Sequence, residues 1–146
     1  MKKYHVGITV GVYDLFHVGH LNLLEKSKAQ CDHLIVAVLS DEYSIQKKGK
    51  KPVYSLEERM RLISALKCVD EVITIPIEEV ADKSLLYKRV KFDAYFSGDD
   101  WKDSEIFKRT EKLFAELGVD LVYFPYTKGV SSTSIKESIN DTDINN

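Results

Sequence analysis

Five short apolar runs, HVGITV, HLIVAVL, EVITI, DAYFS and VDLVYF, punctuate the chain, and amphipathic stretches fill the spaces between them. The runs are short, rich in β-branched residues and apolar enough to be covered on both faces, the pattern of strands in a parallel sheet. Between them apolar positions recur at helical spacing. One helix is expected from Val18 to Ala29, with Leu21 and Leu24 on one side. A second opens at Ser55, where Ser55 and Glu58 form an S-x-x-E capping box, and keeps Met60, Ile63 and Leu66 inward. A third covers Val80 to Val90, and a fourth runs from Asp103 to Leu117 with Gly118 placed to end it. A last short helix is expected within SSTSIKESI. Strands alternating with helices imply parallel pairing through right-handed crossovers, hence an α/β three-layer sandwich around a five-stranded, mostly parallel sheet.

At 146 residues the chain suits one domain, residues 1–140, followed by a polar tail, 141–146, expected to fray. Its 44% hydrophobic and 30% charged content is that of a soluble globular protein. No apolar run approaches the ~20 residues needed to cross a bilayer. The N-terminus lacks the long apolar core and cleavage site of a signal peptide, so a cytoplasmic protein without a membrane partner is expected. A net charge of −2 offers no global attraction to nucleic acid. Cys31 and Cys68 lie far apart without metal or redox spacing and are expected to be reduced thiols.

Ligands of such sheets bind at the carboxyl ends of the strands, so the loops there matter most. They read GVYDLFHVGH, SDEYSIQKKGKKPVYS, SGDDW and PYTKGVSSTS. Singly, each has an ordinary structural use: Asp14 as a turn residue, KKGKK as a solvated loop, Ser131 or Ser132 as a helix cap. Together they collect carboxylates, imidazoles, cations and hydroxyls on one rim, a combination suited to a triphosphate. Asp14 offers a hard oxygen to Mg²⁺. His17 and His20, three residues apart, project from one side of a first helical turn, where the helix dipole and free N–H groups favour anions. Lys47, with Lys48, Lys50 or Lys51, can reach over from a mobile loop, and Ser131, Ser132 and Thr133 open another helix. Gly11 lets backbone approach a ligand. Arg59 and Lys67, eight residues apart, share a helical face that can point at the rim. Zinc is disfavoured because a third ligand for HVGH is not in reach, and no Ser or Cys stands in a nucleophile elbow. Direct in-line displacement, which needs only positioning and charge, fits better.

GVYDLFHVGH resembles the GTFDLLHxGH motif of the cytidylyltransferases, GVSSTSIK resembles the latter part of their RTEGISTTxIK motif, and SGDDW resembles their GDDW loop. SLEERMRLISALKCVDEV is similar to the helix between them, and the likeness spans Tyr4 to Ile139 with all blocks in order. The resemblance implies a Rossmann-like nucleotidyltransferase fold and transfer of CMP from CTP to a small phosphorylated alcohol, glycerol 3-phosphate foremost. It implies Mg²⁺ as cofactor and a homodimer. Carried over by motif, His17, His20, Lys47 and Arg59 surround the reacting phosphates. Gly11, Val12, Tyr13, Asp14, Gly98, Asp99, Asp100, Trp101, Thr127, Ser131, Ser132 and Thr133 hold the nucleotide, with Lys47, Lys67 and Tyr126 toward the acceptor. Tyr126 stands where the family motif has arginine, and a phenol cannot replace a guanidinium fork; either Lys128 compensates or the pocket takes a different donor or acceptor. The same motifs leave two alternatives: adenylyl transfer to a sugar phosphate, and nucleotide binding without turnover.

Overall fold

A computed structural model describes residues 2–125. Tyr126, Thr127, Ser131, Ser132 and Thr133, the last expected helix and the tail lie outside the described residues. The chain runs β1 (Tyr4–Gly11), α1 (Val18–Lys28), β2 (Cys31–Leu39), α2 (Asp41–Lys48), α3 (Leu56–Ser64), β3 (Glu71–Ile75), α4 (Ile77–Ala81), α5 (Lys83–Arg89), β4 (Ala94–Gly98), a 3₁₀ turn (Asp99–Trp101), α6 (Glu105–Leu117) and β5 (Asp120–Phe124).

All four ladders of the sheet are parallel, in the order β3-β2-β1-β4-β5. Ile8 of β1 pairs with Ile35 of β2 on one side and Tyr95 of β4 on the other. The path leaves β1 toward β2 and β3, then crosses back to β4. The topological switch therefore falls between β1 and β4, and the crevice at their carboxyl ends is flanked by the turn after Gly11 and the turn after Gly98. Strand alternation sends two apolar sets to opposite faces. Leu34, Val36, Val38 and Phe96 pack with Leu24 of α1 and Ile63 of α3. Ile35, Ala37, Leu39 and Tyr95 pack with Leu86 of α5 and Phe107 and Phe114 of α6. Helices thus cover both faces, giving the expected three layers.

The expected capping box of Ser55 and Glu58 is present, and Gly118 ends α6 in the left-handed region at φ 76°. Three boundaries differ from expectation. Residues of the lysine loop form α2, capped by Ser40 and ended by Gly49 at φ 72°. The expected third helix is two helices broken at Asp82, whose extended backbone frees its carboxylate to accept from Ser84 N at 3.0 Å. α3 stops at Ser64, so Leu66 and Lys67 lie in the turn before β3.

Candidate active site

The turn after β1 is bent by two non-glycine residues in the left-handed region, Tyr13 at φ 56° and Leu15 at φ 49°, on either side of Asp14. Such conformations cost about 1–3 kcal/mol each and persist where surrounding contacts over-determine them. Tyr13 is buried, its ring over Gly11 and its hydroxyl 3.3 Å from Thr9 Oγ1. A Cβ on Gly11 would stand 2.9 Å from the Tyr13 ring, so among the described residues the glycine accommodates that tyrosine. Asp14 is buried too, and its two oxygens accept from the amides of Val53 (2.7 Å) and Tyr54 (2.9 Å).

The histidines are the cap of α1. His17 is the N-cap residue, with extended backbone at φ −139°, and its Nδ1 accepts from Gly19 N at 3.0 Å. His20, three residues on, returns its own Nδ1 to His17 N at 3.2 Å. Two imidazoles thus perform the reciprocal bonding that Ser55 and Glu58 perform in α3. The helix-start amides of His17 and Gly19, expected to be free for an anion, are already bonded. An imidazole whose Nδ1 accepts a hydrogen bond carries its proton on Nε2 when neutral. Both rings therefore carry an Nε2–H donor, and each relays a main-chain amide at the positive end of the helix.

The rings stack with centroids 3.8 Å apart and 23° between planes, while Phe16 and the edge of Tyr13 enclose His20. Burial pushes the His20 pKa down to about 4, helped by the neighbouring His17 and opposed by Asp14. Burial also lowers His17. Both stay neutral at pH 7, as the tautomer requires.

Arg59, expected on the rim beside Lys67, is instead wholly buried. Its Nη1 donates to the carbonyls of Val12 (2.9 Å) and Leu39 (2.7 Å), its Nε to that of Tyr54 (3.1 Å), and its Nη2 to Asp41 (2.6 Å). A buried guanidinium needs such a set of acceptors, and those groups claim most of its five donors. The sequence carried a hint: Arg59 lies four residues before Ile63 and so shares its inward face. Asp41, which the motif reading passed over, is its ionic partner. Lys67, beyond the end of α3 and just before β3, lies at the amino edge of the sheet, away from the imidazoles; the helical spacing behind the expectation ends at Ser64. Asp70, beside it, binds Lys28 at 2.7 Å and Leu34 N at that same edge.

Lys47 and Lys48 form the last turn of α2 and Lys50 and Lys51 follow Gly49, all four exposed at the carboxyl edge. Asp99 and Asp100 stand exposed in the 3₁₀ turn after Gly98, across the switch point from α1. The structure therefore brings His17, His20, Lys47, Gly98, Asp99 and Asp100 to one edge.

Mg²⁺ finds no site built for it among the described residues. No cluster of three His, Cys, Asp or Glu side chains is positioned to hold a metal ion, and the proposed ligand, Asp14, is buried with each oxygen engaged by an amide. Mg²⁺ is ordinarily held through one or two carboxylates, waters and substrate phosphates, and the carboxylate of Asp14 is already committed to main-chain amides.

The doubly wound parallel sheet, with two histidines capping the helix at its switch point, is that of a Rossmann-like nucleotidyltransferase. The chain belongs to the cytidylyltransferase-like family, whose sequence profile matches residues 8–138. It is 37% identical over 139 residues to glycerol-3-phosphate cytidylyltransferase of Bacillus subtilis (strain 168), covering 95% of this chain and 98% of that one. To the protein of the same name from Staphylococcus aureus it is 32% identical, covering 90% and 92%. It is also 38% identical to bifunctional protein HldE of Photorhabdus laumondii, matching only 27% of that longer chain. Among solved structures, the lipopolysaccharide core biosynthesis protein of Thermoplasma volcanium superposes with a TM-score of 0.68 at 29% identity, over 87% of this chain and 99% of that one. Pantothenate synthetase of Thermus thermophilus shares the fold at a TM-score of 0.66 and 15% identity, over 94% and 66%.

Proposed function

We propose that the chain transfers a cytidylyl group from CTP to glycerol 3-phosphate. A phosphate oxygen of the acceptor attacks the α-phosphorus of CTP, the bond from that phosphorus to the bridging oxygen breaks, and CDP-glycerol and pyrophosphate leave. The near full-length likeness to glycerol-3-phosphate cytidylyltransferases supports the substrate pair.

The observation that carries the mechanism is the pair of Nδ1 acceptors, which puts the proton of each neutral ring on Nε2; on this reading both Nε2–H groups serve the rim. They meet non-bridging oxygens of the triphosphate and strengthen their hold as charge builds in the transition state. Lys47 supplies positive charge from α2, while Gly98, Asp99, Asp100 and Trp101 border the nucleotide from β4. Thr127, Ser131, Ser132 and Thr133 complete the nucleotide site and Tyr126 the acceptor side, on the strength of the motif alone. Mg²⁺ belongs to this reading as the counterion carried by the triphosphate, where it draws charge from the phosphates. A cytoplasmic homodimer is part of the same proposal.

Pyrophosphate release measured with CTP or ATP, against glycerol 3-phosphate and a panel of sugar phosphates, tests it. Release is expected with CTP and glycerol 3-phosphate. Release only with ATP and a sugar phosphate, or tight CTP binding with no product, would overturn it.

A further inference from the structure

We propose that Asp14 and Arg59 are positioning residues that hang the lysine-bearing segment 47–51 over the imidazole pair, and that neither touches metal or substrate. The peptide of Tyr54 is held at both ends: its N–H is taken by Asp14 and its carbonyl by Arg59. Asp14 also takes the amide of Val53, while Arg59 reaches back to the carbonyl of Val12, two residues before Asp14. The start of α3 is thereby closed onto the β1–α1 turn through a ring of main-chain and charged groups. The other branch of Arg59 ties Leu39, the end of β2, and Asp41, the first residue of α2.

The segment between Asp41 and Tyr54 is consequently fixed at both ends to the turn that bears the histidines. Between the two fixings stand Lys47, Lys48, Lys50 and Lys51, all exposed and, among the described residues, in no ion pair. The fixed cations are kept at the rim while the fixing charges are withdrawn into the interior. Charge-assisted bonds to main-chain groups are suited to this, being about twice as strong as neutral ones. The carboxylate of Asp14 supplies two acceptors to two successive amides, and asparagine in its place would turn an NH₂ donor toward one of them.

The assignment rests on the cytidylyl-transfer reading only for what the lysines hold. The test therefore carries one readout that does not depend on turnover. In full-length Asp14→Asn, hydrogen exchange of the Val53 and Tyr54 amides is expected to quicken by about tenfold or more while α1 is unchanged, the loss of a charge-assisted bond. KM for CTP should rise by roughly tenfold with kcat within about threefold, the pattern of lost uniform binding. The Mg²⁺ concentration giving half-maximal rate should stay that of the parent. Unchanged exchange together with a Mg²⁺ requirement raised tenfold or more would overturn the proposal and make Asp14 a metal ligand. If the parent protein does not use CTP, the function proposed above fails, yet the exchange comparison still decides the role of Asp14. Asp41→Asn, at a side chain 41% exposed, is the second variant should the first not fold. It releases the Arg59 fixing from the α2 end and should give the same KM-weighted loss with faster exchange in α2; no change in either would count against the assignment.

Discussion

His17 and His20 cap one helix together: the Nδ1 of His17 accepts from Gly19 N, the Nδ1 of His20 accepts from His17 N, and the two rings stack. Structure and chemistry share these residues, so plain alanine substitutions confuse the two. His17→Ala removes a cap worth about 1 kcal/mol along with the donor.

The double substitution His17→Ser/His20→Glu separates them. Serine is a favoured N-cap and glutamate a favoured third-position partner, the pair that Ser55 and Glu58 form in α3, so an ordinary capping box is rebuilt without N–H donors. Thermal unfolding is expected to stay close to the parent while kcat falls by ~10² or more, as when preorganised transition-state donors are removed. Retention of turnover within a few-fold would remove the imidazoles from the mechanism.

Acid titration is expected to hold His20 neutral well below the usual histidine range, with His17 lowered as well. His20 should titrate near pH 4, and ¹⁵N shifts should report Nε2–H on both rings at pH 7. Because both folded-state values lie below 6.5, the unfolded chain binds more protons as pH falls from 6.5 toward 4. Stability conferred by the neutral pair is full above 6.5 and is lost on acidification through that window. Denaturant unfolding at pH 5 and 7.5 should show a smaller difference for His17→Ser/His20→Glu than for the parent.

Gly11→Ala brings a methyl group to 2.9 Å from the Tyr13 ring, which must move and disturb its edge contact with His20. A loss of about 1–3 kcal/mol is expected from such overpacking. Combining it with Tyr13→Leu should cost less than the sum of the single changes, since the two positions contest the same space. Strict additivity in a double-mutant cycle would contradict the close approach.

Lys83 is buried beside Phe107, its ammonium bonded, among the described residues, to the Val80 carbonyl, and burial lowers its pKa to about 8. Replacing it with methionine should stabilise the protein at pH 7 by about 1–3 kcal/mol by removing a buried, unneutralised charge. The folded lysine loses its proton near 8 and the unfolded one near 10.5, so the parent gains stability with rising pH between them. The advantage of Lys83→Met should therefore shrink across that interval in urea titrations.

The strands were legible because β-branched apolar runs announce themselves, and the rim loops because their chemistry is conspicuous. α2 was not: Ser44 is its one buried residue, so it has no apolar stripe to read, and its Lys-Lys-Gly end looks like a loop. Arg59 was misplaced because a charge on an amphipathic helix is ordinarily solvated, and only three-dimensional convergence of the Val12, Leu39 and Tyr54 carbonyls makes burial tolerable. The amides that engage the carboxylate of Asp14 lie some forty positions away in the chain, so those contacts could not be read from the sequence. The doubled imidazole cap was within reach, since H-x-x-H has the spacing of S-x-x-E.

Holding the rings uncharged has a consequence for the far end of the reaction. A polyanion leaving a pair of imidazolium cations would have to break two ionic attractions, whereas one leaving neutral donors exchanges hydrogen bonds with incoming water. On the cytidylyl-transfer mechanism proposed above, the backbone bonds that keep each Nδ1 occupied would thus limit how tightly the spent diphosphate is retained.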